Sequence, residues 1–141
     1  MPLRAVLLPL FVEVALTLGL LLWLGYLRNR DLKSGAVKPA QIALRERHWP
    51  RRTLQVGNAF SNQFEAPVLF YLLTVLEIVT RHADFTFVVL ASVFVLTRLG
   101  HALVHTTSNR VMLRGTVYAA GILVLIVMWM LFIVRILTGA P

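Results

Sequence analysis

Long apolar blocks separated by short polar intervals dominate the chain. Four blocks, residues 6–26, 56–79, 85–104 and 111–137, are long enough to cross about 30 Å of hydrocarbon at 1.5 Å of rise per residue. The first follows Arg4 and runs into "RNRDLK". Its core is too long for a signal-peptide apolar region and no small-residue cleavage site precedes the basic run, so it is read as a retained helix. The connection over residues 27–55 is basic and carries Pro39 and Pro50, which break any continuous helix there. The later links, "TRHAD" and "TTSNR", are so short that the helices they join must be antiparallel neighbours. The pattern predicts an all-α fold: one domain over residues 1–141, an integral membrane four-helix bundle running up, down, up, down. No internal repeat, low-complexity segment or extramembrane domain interrupts it.

Composition agrees. The chain is 58% hydrophobic and 14% charged, whereas a soluble domain is about half apolar and about a quarter charged. The absence of cysteine excludes disulfides, thiolate metal ligands and a cysteine nucleophile. The net charge of +8 raises nucleic acid as a partner, but eight of the fourteen Lys and Arg residues lie between Arg28 and Arg52. A basic cluster beside an apolar block is a topology signal. Arg110 and Arg114 fall on the same side; Arg4, Arg81 and Arg135 mark the other. The expected placement has the loop cytoplasmic and both termini on the opposite side of the membrane.

Some polar residues lie inside the blocks. Counted from the loop side at 1.5 Å per residue, Asn62 is about 10 Å deep, Glu65 about 15 Å, Arg98 about 12 Å, His101 about 8 Å, Arg114 about 5 Å and Tyr118 about 10 Å, with His105 near the surface. The levels agree across three helices. So do the faces: Gln55, Asn58, Asn62 and Glu65 recur at three, four and three residues; Arg98, His101 and His105 at three and four; Arg114 and Tyr118 at four. Intramembrane charge costs at least about 2.5–3.5 kcal/mol per group on insertion scales, so such stripes mark partners, cavities or ligand sites. A structural Glu65–Arg98 ion pair with Asn62 as interhelical glue explains part of the set. It leaves a cationic surplus, because two arginines and two histidines face one carboxylate, and an anionic ligand would balance it. Pro67 should bend the second helix beside the cluster. His101 and His105 have the spacing of a metal pair, but no third ligand converges, so neither metal nor haem is expected. Glu13 stands alone in the first block, deeper toward the opposite side, with Arg135 or an oligomer axis as candidate partners.

These residues resemble the MAPEG family, the membrane-associated proteins in eicosanoid and glutathione metabolism, over nearly the whole chain. The likeness is to a bacterial member similar to microsomal glutathione transferase and prostaglandin E synthase. In "NAFSNQFE" the second-helix Asn-x-x-Glu falls on Asn62 and Glu65. In "RLGHALVHTTSNRVMLRGTVY" the Arg-x-x-His of the prostaglandin E synthase branch is matched by Arg98 and His101, its later catalytic arginine by Arg114, and the tyrosine four residues on by Tyr118. The resemblance implies a homotrimer with glutathione as co-substrate between neighbouring subunits. It further implies arginines on the glutathione carboxylates, Arg114 beside the thiolate, and Arg28 or Arg30 as a further contact. The departures are Asn58 in place of the motif's leading arginine, Ala66 and His105 in place of tyrosines, and Gly115 in place of a serine.

Two function classes remain open. One is a glutathione-dependent transferase or peroxidase acting on lipophilic electrophiles, with Arg114 catalytic and Arg28, Arg30, Asn62, Glu65, Arg98, His101, His105 and Tyr118 binding. The other is a non-catalytic scaffold or accessory subunit of a larger membrane complex. A transporter is disfavoured, because the chain offers neither a broken-helix pair nor an inverted repeat.

Overall fold

A computed structural model of the chain describes residues 1–44 and 47–139. Arg45, one of the basic residues of the first loop, lies outside the described residues. Five α-helices form among the described residues: α1 (Leu3–Lys33), α2 (Arg51–Ser61), α3 (Ala66–Val79), α4 (Phe85–Thr106) and α5 (Val111–Thr138). Short 3-10 turns occupy Pro39–Gln41 and Asn62–Phe64. Four spans, Leu3–Lys33, Arg51–Val79, Phe85–Thr106 and Val111–Thr138, are each long and apolar enough to cross a membrane, and no strand occurs among the described residues.

Side-chain pairings give the directions. Leu24 and Leu27 of α1 pack on Val56 of α2, and Leu20 meets Ala59 and Ala102. Phe70 of α3 stacks 4.9 Å from Phe94 of α4. Arg135 near the end of α5 bonds Asp84 before the start of α4, while His101 near the end of α4 meets Arg114 near the start of α5. The spans therefore alternate in direction. Away from the basic loop, the core is built from Val6, Phe70, Leu73, Phe87, Phe94, Leu125, Met128 and Phe132. The helix surfaces turned outward, with Leu8, Phe11, Leu22, Leu72, Val93, Leu123 and Ile133, are apolar. Polar groups including Glu13, Gln63, Thr74, Glu77, Arg98, His101 and His105 are buried inside. That inversion is what a hydrocarbon surround selects. Gly121 of α5 faces Thr97 of α4: a Cβ there would stand 2.5 Å from Thr97 Oγ1, so a larger residue would force the Thr97 side chain to move.

The second span is broken, not merely bent. α2 ends at Ser61, the 3-10 turn Asn62–Phe64 follows, and Glu65 adopts φ −95°, ψ −106° before α3 begins at Ala66. Pro67 lies in the first turn of α3, where its missing N–H leaves no bond unmade. Continuing α2 through this point would have set the ring against the Gln63 carbonyl. The helix instead stops and restarts, which re-aims Glu65.

At the end away from the basic loop a polar clamp closes the bundle. Arg135 Nη2 donates to Asp84 Oδ2 at 2.6 Å, and Asp84 Oδ1 accepts the Phe87 amide at 2.8 Å as the N-cap of α4. Burial alone would push the Asp84 carboxyl up, but the bonds from Arg135 and the Phe87 amide outweigh it and hold the group below its ordinary value. A depressed carboxylate contributes stability that is complete above the ordinary pKa of about 3.9 and is lost as pH falls through the folded value. Thermal stability in detergent is therefore expected to drop in acid below about pH 4, and Asp84→Asn should flatten that drop while lowering stability at neutral pH. An acid limb unchanged by Asp84→Asn would mean that other groups set it.

Candidate functional site

The site forms where the second, third and fourth spans meet near the basic loop. Asn62 opens the 3-10 turn that interrupts the second span, and Glu65 follows it. His101 and His105 lie one turn apart on α4, with rings 5.5 Å apart and nearly perpendicular. Arg114 and Tyr118 lie one turn apart on α5. Together with Gly115 these residues line a pocket of about 270 Å³. Six of the positions singled out in the sequence thus converge: Asn62, Glu65, His101, His105, Arg114 and Tyr118.

The link between α4 and α5 positions Arg114. Asn109 takes a left-handed conformation at φ 49°, which asparagine tolerates better than most residues. Its amide bonds the Val104 carbonyl at 2.8 Å, and its side-chain oxygen accepts from Arg114 Nη1 at 2.6 Å. No carboxylate pairs with Arg114 among the described residues. His101 Nδ1 lies 3.2 Å from the Arg114 carbonyl and, since a carbonyl only accepts, donates to it. His101 Nε2 and His105 Nδ1 are buried without hydrogen-bond partners.

Arg98 stands behind the pocket wall, 2% exposed. The expected Glu65–Arg98 pair does not form. Arg98 Nη2 donates to Asn62 Oδ1 at 2.6 Å and to the Asn62 carbonyl at 3.3 Å, while Nε faces Glu13 Oε1 at 3.8 Å. Glu65 instead accepts from Asn62 Nδ2 at 3.1 Å and from the Tyr118 hydroxyl at 3.2 Å. The break at Glu65 turns this carboxylate toward α5, with the Asn62 amide between it and Arg98. Glu13 likewise belongs neither to Arg135, which Asp84 holds, nor to an outward face, since it is 0% exposed. With Glu13 included, two carboxylates and two arginines balance before the histidines are counted. The cationic surplus read from the sequence is therefore corrected: the pocket is a mixed-charge site.

Arg28 and Arg30 do not join this cluster within one chain. Arg28 lies 5.3 Å over the Trp49 ring and lines a separate cavity of about 600 Å³ with Asn58, Arg47 and Phe60. Arg30 pairs with Asp31 at 2.9 Å. Gln55 leaves the polar stripe to bond the His105 and Thr107 carbonyls at 2.8 and 3.1 Å, and Arg52 bonds the Thr106 carbonyl, so α2 caps the end of α4.

An apolar groove of about 450 Å³ opens from the same place. It shares Glu65 and Tyr118 with the polar pocket and runs past Leu69, Ile122, Ile126 and Trp129 to Met130. Neither this groove nor the role of Asn109 was read from the sequence, and Glu13, which was singled out there, has Arg98 as its partner and not Arg135 or an oligomer axis. The groove residues carry a recoverable signal, since Tyr118, Ile122, Ile126 and Trp129 repeat at four, four and three residues below the catalytic candidate.

The chain matches no curated protein and no solved structure. The sequence model of the MAPEG family, in contrast, matches residues 6–134, nearly the whole of a chain with four candidate membrane spans, and the chain belongs to the MAPEG family.

Proposed function

We propose that this protein is a glutathione-dependent transferase or peroxidase acting on lipophilic electrophiles. The family includes glutathione transferases, peroxidases and non-catalytic members. The observation that supports a catalytic member is the junction at Glu65 and Tyr118, where a polar pocket and an apolar groove share two residues. A polar thiol co-substrate in the first and an apolar acceptor in the second would meet there. The pocket offers both signs of charge, Glu65 and Arg114, to a tripeptide carrying an ammonium group and carboxylates. Glu65 would take the ammonium group, Asn62 and the histidines the neutral polar groups, and Arg114 the sulfur. A guanidinium a few ångströms from a thiol raises the thiolate fraction. Asn109, holding one Arg114 nitrogen, leaves the rest of the fork for that role.

The wall opposite this pocket is missing within one chain, and Glu65 is exposed. A symmetric homotrimer would supply it from a neighbour's α1 end, with Arg28 or Arg30. The loop would face the cytoplasm, both termini would face the other side, and a bacterial inner membrane would be the location. The second reading is a non-catalytic scaffold or accessory subunit. It is favoured by Asn58, whose exposed side chain lines the Arg28 cavity and brings no charge to the pocket.

Three outcomes test these proposals. An Arg114→Ala variant is expected to lose the ultraviolet absorbance of bound thiolate, since an unperturbed thiol has a pKa of about 8.5 and stays largely protonated at neutral pH. Its affinity for glutathione should fall less, and a wild type without saturable binding at millimolar glutathione would make the scaffold the first choice. Detergent-corrected mass should correspond to three chains; a stable monomer across mild detergents would count against the shared site. Alkaline phosphatase fused after α5 should be active in a bacterial host, and an active cytoplasmic reporter at that point would reverse the orientation.

A further inference from the structure

Glu13 has no place in the pocket. It lies on α1, fully buried, and neither carboxylate oxygen accepts a hydrogen bond. Its charge partner is Arg98, whose Nε is likewise without a hydrogen bond. A charged pair so deep, held short of hydrogen-bond contact, is a poor device for stability alone.

The groups in front of the pair give it a use. Arg98 has only donors, so Asn62 must present Oδ1 to it. That fixes the flip of the Asn62 amide and commits its Nδ2 to Glu65 Oε2. The Tyr118 hydroxyl bonds the same oxygen, with the Tyr118 ring centroid 5.7 Å from the Arg98 guanidinium carbon. Glu65 Oε1 accepts no hydrogen bond among the described residues, and Glu65 is exposed and lines the pocket. One amide group separates Arg98 from Glu65. Without an opposing charge behind it, the guanidinium would displace that amide and pair with Glu65 directly.

The geometry points to Glu13 as a positioning residue: from behind the wall it holds Arg98 back from Glu65 and so keeps the Glu65 carboxylate open to the ammonium group of the thiol ligand. This rests on the pocket being a glutathione site. The consequence is specificity. A carboxylate kept free of arginine prefers a ligand bearing an amine, and the preference originates on a helix that never touches the ligand.

The test compares glutathione with its analogue lacking the α-amino group, glutaryl-cysteinyl-glycine, by calorimetric titration of the full-length protein in detergent. Wild type should bind glutathione about tenfold or more tightly than the analogue, the worth of one charge-assisted hydrogen bond. Glu13→Gln, which keeps the shape and removes the charge, should abolish that preference while leaving analogue affinity unchanged. Glu13→Asp should restore part of it. Equal losses for both ligands would indicate a merely structural role and overturn the proposal.

A second measurement needs no ligand. In the wild-type background, the shifts of the thermal midpoint by Glu65→Gln and Arg98→Met should couple only weakly, through the Asn62 amide that lies between them. In the Glu13→Gln background the coupling should rise, because Arg98 has taken Glu65 as its direct partner. Equal coupling in both backgrounds would overturn the proposal even if glutathione binds. Coupling that grows with Glu13→Gln, in a protein that binds neither thiol, would sustain the role of Glu13 and remove the glutathione reading.

Discussion

An arginine inside a hydrocarbon layer is the constraint on which this bundle depends. Arg98 cannot reach water at the loop end, because Ala102, His105 and Thr106 are buried along the same face of α4 above it. It must be neutralised and hydrogen-bonded where it stands, since insertion scales charge about 2.5–3.5 kcal/mol for an arginine at helix centre and an uncompensated buried charge costs more. Glu13 supplies the opposite charge from α1, and Asn62 supplies the acceptors from the interrupted second span. Three of the four spans are thereby tied at one level by groups that have no alternative partner in lipid. The fourth joins through Tyr118, whose ring faces Arg98 and whose hydroxyl reaches Glu65.

The interruption at Glu65 separates two jobs that a straight helix would have combined. On a continuous helix, Asn62 and Glu65 share a face, and both would meet Arg98. With α2 ended at Ser61 and α3 restarted at Ala66, Asn62 stays with α4 while Glu65 turns to α5. One residue serves the interior charge and the other the pocket. Pro67 makes this inexpensive, because a proline in the first helical turn forfeits no hydrogen bond. The Asn62 carbonyl, freed from regular helix bonding, is one of the two acceptors Arg98 uses.

Much of the architecture is legible in the residues. Apolar runs of 20 or so residues separated by short links leave few options for a chain surrounded by lipid, and the links themselves force antiparallel neighbours. The convergence of Asn62, Glu65, His101, His105, Arg114 and Tyr118 follows from matching depth and helical spacing. Partnership within that set does not. Depth counted along Cα positions set Glu13 toward the opposite side, with Arg135 or an oligomer axis as candidate partners. Yet Leu20 packs level with Ala102, so Glu13, seven residues below, and Arg98, four below, differ by only about 4–5 Å at 1.5 Å per residue, a gap that an arginine side chain bridges. The cationic surplus inferred from the stripes was thus an error of bookkeeping across helices. The bend expected at Pro67 had the right location, but its consequence for the direction of Glu65 depends on backbone angles that no periodicity encodes.

The shared edge between pocket and groove limits where chemistry can occur. Away from Glu65 and Tyr118 the groove is lined by Ala66, Leu69, Ile122, Leu125, Ile126, Trp129 and Met130. Apart from the Trp129 indole N–H, which is buried without a hydrogen-bond partner, these residues offer no polar side-chain group, so an acceptor there is held mainly by apolar contact. The pocket beyond the edge is polar, lined by Asn62, His101, His105 and Arg114. A thiol held beside Arg114, as proposed, would have its carrier on the polar side and would meet an apolar acceptor across Tyr118. The same tyrosine covers Arg98 and bonds Glu65. A change at Tyr118 therefore acts on three functions at once: the closure over the buried ion pair, the orientation of the pocket carboxylate, and the boundary across which two reactants of opposite polarity would meet.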